Sequence, residues 1–203
     1  PEQLHEQLQP AVSARLISLA GDEYTFTHDR VHKAARALLD ADEIGQLNLS
    51  AARLFTEAAR QSDDSDRLFL AVHHITSAFN DIRFSPERDS YRAVCHLAAQ
   101  RAKSTGDYAS AVRYLRTAKL LHEDALHAEP DEAFQLDFDE AECEFLQGNL
   151  PSALALCQRL MHAPCPHQKA VAACMMAEIH MRQPNMPLAL ETALSSLVAF
   201  GVD

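Results

Sequence analysis

Four potential zinc ligands fall within eleven residues of the sequence, at Cys157, His162, Cys165 and His167. Zinc prefers thiolate and imidazole ligands, but protein zinc sites favour ligand pairs spaced as C-x2–4-C or H-x3–5-H, which this stretch lacks. Cys157 also falls where a helix would pack against its neighbour, and the prolines that flank Cys165 favour a loop. We therefore predict that no metal binds here.

Five carboxylates occur between residues 137 and 144, at Asp137, Asp139, Glu140, Glu142 and Glu144. Paired carboxylates can act as a general acid and a general base. On a helix, however, Asp137, Glu140 and Glu144 follow an i, i+3, i+7 spacing and share one face, which we predict to be exposed to solvent. No nucleophile or glycine-rich loop accompanies them, so we predict that the chain is not an enzyme.

Charge is unevenly distributed along the chain. Residues 123–144 contain ten acids and no Lys or Arg, whereas residues 101–119 are mostly basic. A solvent-exposed face is the simpler expectation for these acids. Two alternatives stay open, because oppositely charged segments can pair with each other or steer a partner protein.

Composition favours a protein of packed helices in the cytoplasm. The 203 residues are 47% hydrophobic with only five glycines, and the net charge of -11 disfavours direct binding to nucleic acid. The five cysteines show no CxxC spacing, which suggests reduced thiols in the cytoplasm. No apolar run is long enough to cross a membrane. The chain opens at Pro1 within a helix-like segment, so we expect a piece of a longer polypeptide.

The first forty residues differ from the rest. Residues 4–14 are predicted to form a helix, and residues 15–19 and 24–27 to form a β-hairpin with Gly21 and Asp22 in the turn. A second helix follows, so residues 1–40 are predicted to be the C-terminal part of a winged-helix-like domain. Residues 41–85 are predicted to be a helical connector. Its first helix has one apolar stripe, at Leu47, Ala51, Leu54, Phe55 and Ala58.

An internal repeat occupies residues 86–203. Residues 106–112, 148–154 and 184–190 align without gaps, and each begins with Gly or Pro and then Asp or Asn, a large apolar residue and, three positions later, Ala. The Asp or Asn is predicted to cap the following helix. Ala99, Ala141 and Ala177 each lie twelve residues before the repeated alanine. The spacing resembles the tetratricopeptide repeat (TPR), although the units are 42 and 36 residues apart (106 to 148 to 184). We predict an all-α fold, with three TPR-like hairpins forming a right-handed superhelix of antiparallel helix pairs and a small N-terminal β-hairpin.

Three segments resemble one family of large bacterial signalling proteins. Residues 24–35, Tyr-Thr-Phe-Thr-His-Asp-Arg-Val-His-Lys-Ala-Ala, are similar to the winged-helix end of STAND-type, AAA-like ATPase modules. In that family these modules lie between Ser/Thr kinase domains and GAF and histidine-kinase domains. Residues 141–149, Ala-Glu-Cys-Glu-Phe-Leu-Gln-Gly-Asn, and residues 106–115 are similar to the helical region that follows.

The resemblance implies a nucleotide-linked role. His28 would sense the nucleotide in the longer protein, which would bind ATP or ADP with Mg, and Asp29 would support it. This chain has no GxxxxGK[ST] motif, so we expect no cofactor in it. The alternative is that His28 and Asp29 only start a helix and make local hydrogen bonds.

The first helices of stacked hairpins line the concave face of such an array. The resemblance places a partner groove there, formed by His96, Gln100, Lys103, Phe138, Glu142, Phe145 and Glu178. The two phenylalanines could instead pack in the core. The expected partner is another protein or an adjacent domain, with no direct contact to nucleic acid or membrane, and homo-oligomerisation is left open. The predicted function is non-catalytic interdomain contact that couples nucleotide state to output. The alternative is the regulatory region of an ATPase-type transcriptional activator, whose neighbouring domains contact DNA.

Overall fold

The computed structural model describes residues 2–21, 23–61, 64–123 and 129–199, which are mostly helical. The prediction of an all-α chain with one small β-hairpin is confirmed. The strands are β1 (Ile17–Ala20) and β2 (Glu23–Phe26). The helices of the described residues are α1 (Glu2–Ser13), α2 (Asp29–Arg36), α3 (Ala41–Gln61), α4 (Ser65–Ser77), α5 (Phe79–Ile82), α6 (Arg88–Ser104), α7 (Tyr108–Glu123), α8 (Pro130–Leu146), α9 (Leu150–Leu160), α10 (Pro166–Arg182) and α11 (Met186–Ala199).

The chain divides into two compact units, Pro1–Leu47 and Asn48–Asp203. The division falls inside α3, a few residues after the boundary at residue 40 that the sequence predicts. The second unit contains residues 48–85 of the predicted connector together with the segment of the three predicted hairpins.

In the first unit, β1 and β2 pair antiparallel, with Ile17 opposite Phe26 and Ala20 opposite Glu23. Gly21 has φ +62, a left-handed conformation that glycine adopts without a steric penalty. Asp22, the other predicted turn residue, lies outside the described residues. The hairpin is therefore present, with strand ends shifted by one or two positions from the prediction.

The buried face of α3 is not the leucine stripe that the sequence predicts. Leu54 is 67% exposed, whereas Asn48 is only 7% exposed and Ala52 is fully buried. His74 Nδ1 donates to Asn48 Oδ1 at 3.1 Å, which satisfies the buried amide. The predicted stripe is wrong at its leucines: Phe55 packs against the core, but the fully buried side of α3 is formed by small and polar side chains, at Asn48, Ala52, Thr56 and Ala59.

A polar triad holds α3 to the start of α6. Arg53 Nε lies 2.8 Å from Glu87 Oε2, and the Tyr91 hydroxyl donates to the same oxygen at 2.9 Å. Burial, reinforced by Glu87, raises the pKa of Tyr91 to about 12, so its hydroxyl keeps its proton and stays a donor.

From α6 onward, each helix packs against the next in chain order: α6 on α7, α7 on α8, α8 on α9, α9 on α10 and α10 on α11. The alanines predicted to mark close approach are buried at the first two hairpins, with Ala99 at 1% and Ala141 at 0% exposure. Ala177, in the third, is only half-buried. Small side chains at these positions allow paired helices to nest.

Glycine ends the first helix of the first two hairpins. Gly106 and Gly148 have φ +82 and +87, and the amide of the next residue bonds back to the helix in each case. For Gly148 this bond runs from Asn149 N to Glu144 O at 2.8 Å. Pro184 holds the same position in the third hairpin.

The predicted helix caps form in two hairpins of three. Asp107 Oδ1 accepts from the amide of Ser110 at 3.1 Å, and Asn185 Oδ1 accepts from the amide of Leu188 at 3.3 Å. The hydrogen bond from Ser110 lowers the pKa of Asp107, so its carboxylate stays ionised as the cap. The cap predicted at Asn149 is wrong, because its side chain donates to Glu144 instead.

We expect Gly148→Ala to destabilise the chain by about 1 kcal/mol. A Cβ added at Gly148 would meet no atom within 4 Å, so the loss comes from the positive φ alone. Urea denaturation followed by circular dichroism measures the change. Gly148→Asn is the matched control and should lose less, because Asn tolerates the left-handed region. An alanine variant as stable as the wild type would contradict the assigned turn.

Every helix among residues 2–21, 23–61, 64–123 and 129–199 is too short or too polar to cross a membrane.

Candidate interaction surface

Three basic or imidazole side chains of α6 face three acids of α8. Arg92 pairs with Glu132, His96 Nε2 lies 2.8 Å from Asp139 Oδ2, and Lys103 pairs with Glu142. The spacings 92, 96, 103 and 132, 139, 142 each keep three side chains on one side of a helix. We call these six residues the α6–α8 ladder, and it shows that the first helices of two successive hairpins lie side by side.

Four of the predicted groove residues belong to the ladder or adjoin it. His96, Lys103 and Glu142 are half-buried in the ladder itself. Gln100 is exposed and its Nε2 lies 3.4 Å from His96 Nε2. Of these four residues, Lys103 and Glu142 contact each other across the two hairpins, whereas His96 contacts Asp139 of α8.

The ladder keeps Lys103 charged. Burial by itself would lower the pKa of Lys103, but the carboxylates of Glu142 and Asp139 outweigh this effect and raise it. A lysine with a raised pKa stays protonated at neutral pH, so Lys103 is held as a cation between its two acids.

The opposite side of α8 carries a second charged network, with α7. Arg116 Nε lies 2.8 Å from Glu140 Oε1, and its Nη2 lies 2.7 Å from Glu144 Oε1. Lys119 Nζ lies 2.7 Å from Glu140 Oε2 and also pairs with Asp137. We call these five residues the α7–α8 network.

The predicted solvent-exposed stripe at Asp137, Glu140 and Glu144 is wrong. Glu140 is 4% exposed and Glu144 only 1%. These acids are buried because the basic segment pairs with the acidic segment, one of the alternatives that the sequence left open. Helix α7 supplies cations at the spacing needed to neutralise them. Two further donors, Gln147 and Asn149, lie 2.7 and 2.8 Å from Glu144 Oε2.

A small cavity of about 180 Å³ opens beside this network, between α7, α8 and α9. Its polar walls include Lys119, Asp137 and Arg159. The Asp137 carboxylate pairs with both cations, and the Arg159 contact measures 3.0 Å. The charges in this cavity thus hold helices together.

The two predicted groove phenylalanines pack between helices. Phe145 is 8% exposed, and the Arg182 guanidinium lies over its ring at 4.6 Å from the centroid. Phe138 stacks on Phe134 and packs against the core that α8, α9 and α10 share. Of the two alternatives that the sequence left open for these rings, core packing is the one observed.

Besides Gln100, the accessible part of the predicted groove is Glu178 on α10. Cys174, Glu178 and Met181 are exposed and follow an i, i+4, i+7 spacing, so they share one face of the helix. We call these three residues the α10 face. Glu178 is the one predicted groove acid that is exposed rather than paired across the ladder.

His28 and Asp29 lie at the start of α2 in the first unit. Both are exposed. His28 has the extended backbone of a helix N-cap but makes no capping bond through its side chain, and Asp29 pairs with Lys33 at 2.7 Å. Their contacts are local, and their predicted nucleotide-sensing role stays a prediction.

The four potential zinc ligands have different surroundings. Cys157 is buried, and burial raises the pKa of its thiol to about 11, which disfavours the thiolate that zinc requires. His162 and His167 are exposed, and Cys165 precedes α10. Within the described residues, His, Cys, Asp and Glu side chains form no group of three or more that could hold a metal ion.

Comparisons with protein-family models, with curated proteins and with solved structures found no match to this chain. Its function is therefore inferred from its residues and from the geometry of its helices.

Proposed function

We propose that the chain is a non-catalytic module for protein–protein or interdomain contact, built as a TPR-like right-handed superhelix of antiparallel helix pairs. The supporting observation is the α6–α8 ladder, which joins the first helices of successive hairpins side by side. Packing of α6 to α11 in chain order supports the same arrangement. In such an array the first helices form one continuous surface that can receive a partner.

The proposed contact surface runs from the ladder to the α10 face. Its two ends offer different chemistry. The charged side chains of the ladder pair with each other, so this end of the surface is polar and has little net charge. The α10 face presents the exposed Glu178 beside Met181, which is 50% exposed. A segment that carries a Lys or Arg next to an aliphatic side chain fits this face.

The resemblance to STAND-type ATPase modules supports the proposed setting, a multidomain bacterial signalling protein that binds ATP or ADP with Mg elsewhere in its chain. There the array would pass nucleotide state to an output domain. Coupling of this kind requires contacts that differ in free energy between two states. The α10 face, whose side chains are not committed to the ladder, is suited to such changing contacts.

The alternative is the regulatory region of an ATPase-type transcriptional activator. One observation favours it: Arg30, Lys33 and Arg36 are exposed on α2, in the unit whose sequence is winged-helix-like. Lys33 is neutralised in part by Asp29, and the net charge of the whole chain is -11. The charge balance therefore favours the contact module.

Selection of random peptides displayed on phage, with the whole chain as bait, tests the proposal. We expect enriched peptides to carry Lys or Arg beside aliphatic residues and to protect α8 and α10 from hydrogen exchange. Glu178→Lys should weaken a selected peptide at least about tenfold, because it replaces attraction by repulsion. Glu57→Lys makes the same charge change on an exposed residue of α3 and should leave the affinity unchanged.

Two outcomes would count against the contact module. Peptides that protect only α2 or α3 from exchange would place the contact elsewhere. Binding to duplex DNA that falls steeply with salt would support the activator alternative.

A further inference from the structure

The cavity between α7, α8 and α9 has room for a small organic molecule. Its volume is about 180 Å³. A cavity of about 150 Å³ is enough to hold a benzene ring. The side chains that line it come from all three helices and are Lys119, His122, Ala133, Leu136, Asp137 and Arg159. We call these six residues the α7–α9 cavity.

His122 gives the cavity a hydrogen-bond donor that the chain does not use. The residue is only 4% exposed. Arg92 Nη1 lies 2.9 Å from His122 Nδ1, and because a guanidinium can only donate, Nδ1 must be the acceptor. The ring is therefore neutral and carries its proton on Nε2, which has no hydrogen-bond partner among the described residues. A buried N–H without an acceptor is costly, so an acceptor on a ligand would stabilise it.

Asp137 offers the opposite kind of group. Its Oδ1 accepts a hydrogen bond from Arg159 Nη2 at 3.0 Å and is also the oxygen that pairs with Lys119. Its Oδ2 accepts no hydrogen bond from the part of the chain that the structure describes, and the side chain is 24% exposed. An ammonium group on a ligand could donate to this oxygen.

Charge balance limits which ligands fit. The Arg159 side chain is 62% exposed, and its guanidinium has further N–H groups beyond the one bonded to Asp137. The charged side chains in and beside the cavity are three cations and three acids, namely Arg116, Lys119, Arg159, Asp137, Glu140 and Glu144. A ligand with a net charge would upset this balance, whereas a zwitterion brings one charge of each sign.

We propose that the α7–α9 cavity binds a free α-amino acid with an aliphatic side chain. The carboxylate would accept hydrogen bonds from His122 Nε2 and Arg159, and the ammonium would donate to Asp137 Oδ2. The aliphatic side chain would lie against Ala133 and Leu136, the apolar part of the wall. Such a ligand would join helices of two successive hairpins and serve as a small-molecule effector, which goes beyond the proposed contact with a protein partner.

Isothermal titration calorimetry of the whole chain with L-leucine tests the proposal. We expect a dissociation constant of about 1 mM or tighter. Isocaproate lacks the ammonium of leucine, and isoamylamine lacks its carboxylate. Each should bind at least about tenfold more weakly, because one polar group of the cavity is left without its partner. Leucine should also slow hydrogen exchange in α7, α8 and α9.

Three variants locate the site. Arg159→Gln should weaken leucine binding at least about tenfold, because it removes a charged donor to the carboxylate. Arg113→Gln is the matched control on α7; it removes an exposed arginine outside the cavity and should leave the affinity unchanged. Ala133→Leu should abolish binding by filling the cavity with its larger side chain. Circular dichroism checks that each variant is folded.

Three results would overturn the proposal. The first is an absence of both binding heat and exchange protection at about 50 mM leucine, a concentration well above the expected dissociation constant. The second is equally tight binding of leucine and isocaproate, and the third is equal weakening by Arg159→Gln and Arg113→Gln. The cavity shares no residue with the α10 face, so Glu178→Lys should leave leucine binding unchanged, and peptide binding and leucine binding can succeed or fail independently.

Discussion

Replacing Arg116 with leucine should destabilise the chain by about 2 to 3 kcal/mol. The Arg116 side chain is largely exposed, but Glu140 and Glu144, its two partners, are buried. Removing the cation leaves these carboxylates out of water with less compensation. Lys119 remains beside Glu140, and two amides remain beside Glu144, so the loss falls below that of a fully uncompensated buried charge. Urea denaturation at neutral pH measures it.

The control replaces Arg116 together with its two buried acids. Arg116→Leu combined with Glu140→Met and Glu144→Met should regain stability to within about 1 kcal/mol of the wild type, because apolar side chains of similar volume need no counter-charge. The repeat register supports this choice, since α10 has Met176 at the position of Glu140. If the single and triple variants were equally unstable, the network would not act through buried charge.

Enlarging Ala141 to leucine should cost about 3 kcal/mol. Ala141 is fully buried at the closest approach of α8 to its neighbours, so the added carbons must force the helices apart. Thermal unfolding followed by circular dichroism should show a clearly lower midpoint. Loss of helix pairing would also expose Phe145, whose ring packs in the same core.

Ala155→Leu is the matched control for this substitution. Ala155 lies on α9, within the same hairpin, but is exposed, so the same change should leave stability within about 0.5 kcal/mol of the wild type. If Ala141→Leu were equally harmless, close nesting of the helices at the recurring alanines would be refuted.

Sequence spacing predicted the helical hairpins well because the residues that mark each turn lie close together in the sequence. A glycine that ends one helix, an Asp or Asn beside it and a buried alanine five positions further lie within a few residues of one another. The β-hairpin of the first unit was predictable for the same reason. The Asn149 side chain does not form the predicted helix cap, because it donates a hydrogen bond to the carboxylate of Glu144 in the preceding helix.

The charged networks were harder to predict, because periodicity shows which residues share a face but not what covers it. Glu140 and Glu144 were assigned to solvent, and only the position of α7 shows that Arg116 reaches both. The same limit explains α3, where Leu54 is exposed and Asn48 is buried. In each case, burial depends on a residue of another helix, and a local sequence pattern does not show which helix that is.

The partner groove that the sequence predicts stays a prediction. The sequence chose α6, α8 and α10 as the helices of the surface, and the ladder places side chains of α6 and α8 in contact. It could not show that Lys103 would pair with Glu142 and His96 with Asp139, since each of these side chains is polar and equally suited to solvent. Gln100, on the first of these helices, and Glu178, on the third, keep the exposure that the predicted groove requires.

The hairpins are held by different numbers of ion pairs, so their resistance to a pulling force should differ along the chain. The α6–α8 ladder and the α7–α8 network join the first two hairpins on both sides of α8, whereas, within the described residues, α11 packs mainly on α10 and buries only Ala189. Under tension, α11 would detach first and α10 next, while the clamped pairs would resist longest. The chain would lengthen stepwise from its C-terminal side, and a pull transmitted along it would be absorbed there before reaching α6.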